Sequence, residues 1–299
     1  MKKKNIIYKD KGFKLWKIAQ KIIPGGNMML SKNPDRILND EWPAYYSRAK
    51  GCFIWDLNNK KYIDMFQMGV GTNILGYSNK RINDAVIKNI KKSNLSSFNC
   101  PEEIELSREL LKLHKWAGGV KLARTGGEAN AIAIRLARAY TKKDNIAVCG
   151  YHGWHDWYLS ANISNKKNLN NHLLNNLKPN GVPKKLKNTV FNFNYNDFES
   201  LMKIINTKNI GAVKMEVIRD EYPVNNFLEK IQYICKKKKI VLIFDECTTG
   251  FRNNLGGIYK KFKIQPDIVI YGKTLGNGFA INPIIGKKKN NELCKFNLY

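Results

Sequence analysis

A chain of 299 residues, 43% of them apolar, is long enough to bury one large α/β core and part of a second, which excludes a small stapled module. No apolar run is long enough to span a membrane, and the opening MKKKNIIYKDKGFK has no apolar stretch behind its basic residues, so neither a membrane partner nor a secretory signal is read here. Lys and Arg number 52 against 24 Asp and Glu, a net charge of +28, yet the basic residues are spread along the whole chain and accompany no nucleic-acid motif; they read as solvated surface, with no nucleic-acid partner.

In chain order, a short helix is predicted over 13–22, ending at Pro24-Gly25-Gly26. Strands follow at 52–56 and 62–65, joined by the turn signal Asn58-Asn59, and then the glycine-rich GVGTNILGY over 69–77. Residues 1–75 therefore read as an N-terminal arm and part of a small domain, and 76–299 as a large domain. From residue 80 helix and strand alternate. Helices are predicted near 80–92, 102–114, 128–141, 197–206 and 225–238, with strands at 120–124, 145–149, 189–193, 211–217, 240–245 and 267–271. That alternation is the pattern of βαβ units: an α/β fold with a mainly parallel sheet and helices on both faces. Ligands of such sheets bind beyond the carboxyl ends of the strands. The Asn-rich stretch 162–180 reads as a loop. The cysteines at 52, 100, 149, 235, 247 and 294 form no CxxC pair and read as isolated thiols of a reducing, cytoplasmic setting.

Four strand ends carry residues of chemical interest. The first runs into Thr125-Gly126-Gly127-Glu128 at a helix start, where free amides favour a phosphate and glycines allow close approach; an ordinary capped helix is the alternative. The second leads to Gly150-Tyr151-His152-Gly153-Trp154-His155. Tyr151 there can offer a flat face to a ring or simply pack in the core. His152 and His155 lack a third ligand at metal spacing, so no metal is expected. The third, IVLIFD, ends in Asp245, a desolvated acid that needs a cationic or hydrogen-bonding partner; Glu216 ends its neighbour. The fourth ends at Gly272-Lys273-Thr274. A nucleotide-binding P-loop would need a glycine where Asp267 stands, and LGNGFAINP is too broken to open a helix. A desolvated lysine is instead a nucleophile suited to a Schiff base. A phosphate, a ring, a basic ring nitrogen and an aldehyde together describe pyridoxal 5'-phosphate.

On these residues the sequence resembles the class III aminotransferases, closest to the glutamate-1-semialdehyde 2,1-aminomutase branch. The stretches that carry the resemblance are IPGG (23–26), AKGCFIWDLNNKKYID (49–64), ILGY (74–77), TGGEANAIAIRLARAYT (125–141), YHGWHD (151–156), FDECTTGFR (244–252) and PDIVIYGKTLGNG (266–278). The resemblance implies the type I fold of pyridoxal-phosphate enzymes, with a seven-stranded type of sheet. It implies a homodimer acting on an amino donor and a carbonyl acceptor. Lys273 would carry the Schiff base and move the proton, Asp245 would pair with the ring nitrogen, Tyr151 would stack on the ring, and Thr125, Gly126 and Gly127 would hold the phosphate. His152 and Glu216 would stand behind them. Gly127 replaces the family's usual Ser or Thr, and Val217 its usual Pro. QMGVGTN at 67–73 lacks the Ser-Trp-Gly of the aminomutase, which favours a transaminase, with the mutase and a non-catalytic remnant as alternatives. Family members continue through a long C-terminal portion, so the small domain is expected to be incomplete.

Overall fold

The computed structural model describes residues 10–287 except 39, 40, 94, 171 and 173–176; Cys294, Lys288 and Lys289 lie outside them. The chain divides between Ser97 and Phe98 into two units, some way past the boundary read at residue 75. Among the described residues no helix is long and apolar enough to cross a membrane, and Cys52, Cys100, Cys149, Cys235 and Cys247 are free thiols.

In the first unit, α1 (Lys11–Ile22) begins where Asp10 Oδ1 accepts the Gly12 N–H at 2.7 Å, and it ends just before Pro24, whose ring cannot continue a helix. α2 (Pro34–Ile37) is one turn. β1 (Tyr46–Lys50), β2 (Phe53–Asp56) and β3 (Lys61–Ile63) form an antiparallel meander. The expected turn is present: Asp56 Oδ1 accepts the N–H of Asn58 and of Lys60, while Asn59 takes the left-handed region at φ 63°. β1 carries no strand pattern in its largely exposed YSRAK; pairing with β2 makes it a strand. α3 (Gln67–Gly71) is a turn whose Met68, Gly69 and Val70 all have positive φ. α4 (Lys80–Ile90), capped by Asn79, belongs to this unit.

The second unit is a three-layer α/β domain. Its strands are β4 (Ala117–Ala123), β5 (Asn145–Cys149), β6 (Val190–Asn192), β7 (Ile210–Glu216), β8 (Val241–Glu246), β9 (Ile268–Tyr271) and β10 (Asn282–Lys287), in sheet order β4-β10-β9-β8-β7-β5-β6. Pairing is parallel from β9 through to β6, and β10 is antiparallel to both neighbours. The helices are α5 (Pro101–Leu113), α6 (Gly126–Thr141), the short α7 (Asp156–Leu159) and α8 (Ala161–Ser164), α9 (Phe198–Thr207) and α10 (Phe227–Lys238).

Period-two alternation sorts each strand between the two cores. Ile146, Val148, Ala212, Ile243, Ile268 and Ile270 face α6, which meets them with Ala129, Ala133, Ile134 and Ala137; small side chains let that helix lie close to the sheet. Val213, Met215, Leu242, Phe244, Val269 and Tyr271 face the other way, onto Leu110, Leu201, Phe227 and Ile231 of α5, α9 and α10. Apart from Lys214 within β7, the polar residues buried in the parallel strands, Glu216, Asp245 and Glu246, sit at their carboxyl ends, at one end of the sheet.

Candidate active site

Five segments converge at the carboxyl end of the parallel sheet. β4 leads into α6 through a side-chain cap: Thr125 Oγ1 accepts the Glu128 N–H at 3.1 Å, and Glu128 Oε2 reaches back to accept the Arg124 N–H at 2.9 Å. The capped-helix reading therefore holds. It leaves the leading amides of Gly126 and Gly127 without intrahelical acceptors, as at every helix start, so the anion reading stands beside it. A side chain at residue 127 would collide with His155, whose Nε2 lies 2.7 Å from where its Cβ would be. His155 thus fills the space above the first turn of α6.

Beyond β5 the chain bends at Gly150, with φ 102°; a Cβ there would sit 2.5 Å from Glu216 Oε2, so the residue is held to glycine twice over. The bend turns the Tyr151 N–H onto Glu216 Oε2 at 3.0 Å and leaves the Tyr151 ring half-buried, edge-on to Tyr158 with centroids 6.2 Å apart. His152 is buried. Its Nδ1 lies 2.8 Å from Asp245 Oδ2, and its Nε2 lies 3.1 Å from the Cys149 carbonyl oxygen. The carboxylate is the stronger acceptor and the shorter contact, so the neutral ring carries its proton on Nδ1 and donates it to Asp245. Burial, then the nearby Lys214, hold that ring neutral by pushing its pKa down to about 4.

Asp245 and Glu246 end β8 on opposite faces. Asp245 points to the α6 side, where Oδ1 accepts the Cys247 N–H at 3.1 Å and Oδ2 meets His152 and, at 3.4 Å, Lys214 Nζ. Burial alone would raise this carboxyl; Lys214 and His152 outweigh it and hold Asp245 ionised, well below the usual range. Glu246 points the other way, accepting from Thr249 Oγ1 and the Tyr259 N–H, and burial raises it. Of the two adjacent acids, only Asp245 faces the site.

β9 ends at Tyr271. Gly272 and the 3-10 turn Lys273–Gly276 follow, with Lys273 itself at φ 37°. Its Nζ donates to Thr248 Oγ1 at 3.0 Å, and burial pushes the ammonium down from its ordinary value. Thr274 Oγ1 donates to the Gly250 carbonyl at 2.6 Å and pins the turn. The fifth segment is the start of β10, where buried Asn282 donates to the Tyr271 carbonyl at 2.9 Å and lies beside Cys247 Sγ. Asn282, Thr248 and Lys214 receive no role in a reading of sequence. A lone lysine in a strand reads as solvent-facing, and the Pro and Gly of NPIIGK conceal the strand that brings Asn282 here.

Glu216 yields a pH prediction. Burial raises it to about 7 from its ordinary 4.5, against the opposing Arg219 Nη1, which donates to Oε2 at 3.1 Å. The folded state therefore binds this proton more tightly than the unfolded chain. The resulting stability is complete below about pH 4.5 and is lost as pH rises through about 7, roughly 3 kcal/mol in all. Denaturant unfolding of wild type and Glu216→Gln should diverge over that window, the wild type falling relative to the variant; parallel curves would contradict the burial argument.

Comparison with known proteins bears on what this arrangement serves. Residues 38–297 match the sequence model of the family described as Aminotransferase class-III. A 3-aminobutyryl-CoA aminotransferase of Cloacimonas acidaminovorans (strain Evry) is 33% identical over 285 residues, covering 92% of this chain and 64% of the relative. A glutamate-1-semialdehyde 2,1-aminomutase of Nitrosopumilus maritimus (strain SCM1) is 38% identical over 284 residues, covering 92% of this chain and 64% of the relative. This chain thus spans under two thirds of the length of either. Among solved structures, an omega-transaminase from Sphaerobacter thermophilus superposes with a TM-score of 0.82 at 25% identity, covering 97% of this chain and 66% of that one.

Proposed function

Since this chain belongs to the class III aminotransferase family, we propose that it serves pyridoxal-phosphate-dependent amino-group transfer, with Lys273 as the amine that carries the cofactor. The observation that supports this best is the pairing, at the ends of adjacent strands β8 and β9, of a buried ionised carboxylate and a half-buried amine.

The residues present fit the cofactor. Asp245 Oδ1 accepts a single N–H and keeps a lone pair for the protonated ring nitrogen. The amides of Gly126 and Gly127, at the head of a 16-residue helix, suit the phosphate. The Thr125 hydroxyl, whose oxygen accepts within the cap, still has its proton to donate. His155 fills the space that a side chain at residue 127 would occupy and would take over that side of the anion. The half-buried Tyr151 would cover the ring. When bound, pyridoxal phosphate supplies an electrophilic aldehyde and an electron-withdrawing ring.

The remaining chemistry belongs to the chain. Lys273 Nζ, with its ammonium form disfavoured by burial, takes a proton from the substrate carbon and returns it elsewhere. Thr248 Oγ1 fixes the direction of that amine. Asp245 would hold a proton on the ring nitrogen, and His152 Nδ1–H orients Asp245. Glu216 holds the Tyr151 backbone in place. The reading includes a homodimer in the cytoplasm, an amino donor and a carbonyl acceptor as separate small molecules, and a large cofactor domain that follows an N-terminal arm and part of a small domain. The 38% identity to an aminomutase supports a second reading, in which donor and acceptor carbons belong to one substrate.

Mixing the purified chain with pyridoxal phosphate tests the proposal. A visible absorption band that decays on addition of an amino donor, with transfer to a 2-oxo acid, is expected. A band without turnover would favour a non-catalytic remnant, and no band would overturn the reading.

A further inference from the structure

Lys214 lies in the middle of β7, between β5 and β8, and its side chain is wholly buried. Alternation places it with Ala212 and Glu216 on the α6 face, and its partners across the strands are Val148 and Ile243, both apolar. Its Nζ makes no hydrogen bond, and among the described residues the acid within ion-pair range is Asp245, with Oδ2 3.4 Å away. Cys247 and Glu216 also face the amine, and His152 bonds the same Asp245 oxygen. Nothing in packing calls for a cation there; a methionine would fill the same space without desolvating a charge.

Taking Asp245 as the partner of the ring nitrogen, as proposed above, we propose that Lys214 is the resident counter-ion of Asp245 and competes with the cofactor's ring nitrogen for its charge. Without cofactor, Asp245 is a buried carboxylate whose hydrogen bonds come from two neutral donors, the Cys247 N–H and the His152 ring. Lys214 supplies the compensating charge. A protonated ring nitrogen arriving on the free side of Asp245 then meets a carboxylate already neutralised, and a second cation close behind it. In a dry site the two cations repel through the shared acid. The ring nitrogen is left a weaker base, and the cofactor is held less tightly than by the same site with an apolar residue at 214. Lys214 thereby acts through Asp245 as a positioning residue, and the site is tuned away from full ring protonation.

The test uses Lys214→Met, with Lys214→Gln alongside to separate charge from shape. In cofactor-free protein, denaturant unfolding of wild type, K214M, Asp245→Asn and the double variant should be non-additive, with D245N costing less stability in the K214M background. On titration with pyridoxal phosphate, K214M and K214Q should bind about tenfold more tightly than wild type. The nitrogen-15 resonance of ring-labelled cofactor should move toward the protonated position in both variants. Additive stabilities would overturn the counter-ion role. Unchanged affinity and unchanged resonance would overturn the competition. If neither wild type nor variants bind pyridoxal phosphate, the functional reading fails, and the cofactor-free cycle alone decides whether Lys214 balances Asp245.

Discussion

Lys273→Ala is expected to leave a folded protein that no longer fixes pyridoxal phosphate covalently. After borohydride reduction and digestion, the wild-type peptide containing Lys273 should carry the added mass and the variant peptide should not. Any turnover should fall by at least about a thousandfold, because an amine at the end of β9 is the group whose job no neighbour can take. Thr248 offers only a hydroxyl, and Lys214 lies on the other side of Asp245 with its stem inside the sheet. The fold should tolerate the change. Lys273 already occupies the left-handed region, so alanine adds little strain, and the turn stays anchored by Thr274 on the Gly250 carbonyl. Arginine at 273 would be no rescue, since a guanidinium does not form the imine. A reduced adduct that still forms on the alanine variant would show that another amine holds the cofactor.

Asp245→Asn should have the second-largest effect, and on two observables. The shape is kept, and the Cys247 N–H still finds an acceptor at Oδ1, so cofactor should still bind. The charge is lost. A neutral amide cannot hold a proton on the ring nitrogen, and the rate should drop on the order of a hundredfold or more. Stability should also suffer, because Lys214 loses the anion opposite it; leaving one member of a buried ion pair uncompensated costs about 3–5 kcal/mol. Turnover at saturating cofactor and unfolding of cofactor-free protein measure the two separately. Near-normal turnover would remove Asp245 from the assigned role.

How much of this was legible beforehand depended on the kind of signal. Strands buried on both faces announce themselves: 145–149 matches β5, and 240–245 and 267–271 fall within one residue of β8 and β9. The large α6 is readable from TGGEANAIAIRLARAYT, and the desolvation of Asp245 and Lys273 from their place after apolar runs. The gaps are those where tertiary pairing overrides local pattern. β1 is polar and β10 contains Pro283 and Gly286, both poor strand residues. Pro283 is tolerated because pairing with β9 spans only Ile284–Gly286. Lys214 was invisible for the opposite reason. Its strand is legible to within one residue, but which neighbour meets a side chain across a sheet follows from register, and register is not written in one strand alone.

The position of β10 has a consequence for how the site comes into being. Among the described strands it is the last to leave the ribosome, yet it belongs second from the sheet's edge, between β4 and β9. The parallel block from β9 to β6 can assemble without it, and α6 can dock on that block. β4, made long before, cannot join until β10 arrives. During synthesis both β4 and β9 present unpaired backbone, the kind of rim onto which a foreign strand can add. Insertion of one antiparallel segment closes both rims in a single event. The same event brings Asn282 beside Cys247 and pairs the strand feeding the Thr125–Gly127 turn into the sheet that carries Lys273. The Thr125–Gly127 turn and Lys273, proposed above as the phosphate and aldehyde ends of one cofactor site, are therefore tied into one sheet only once β10 is in place.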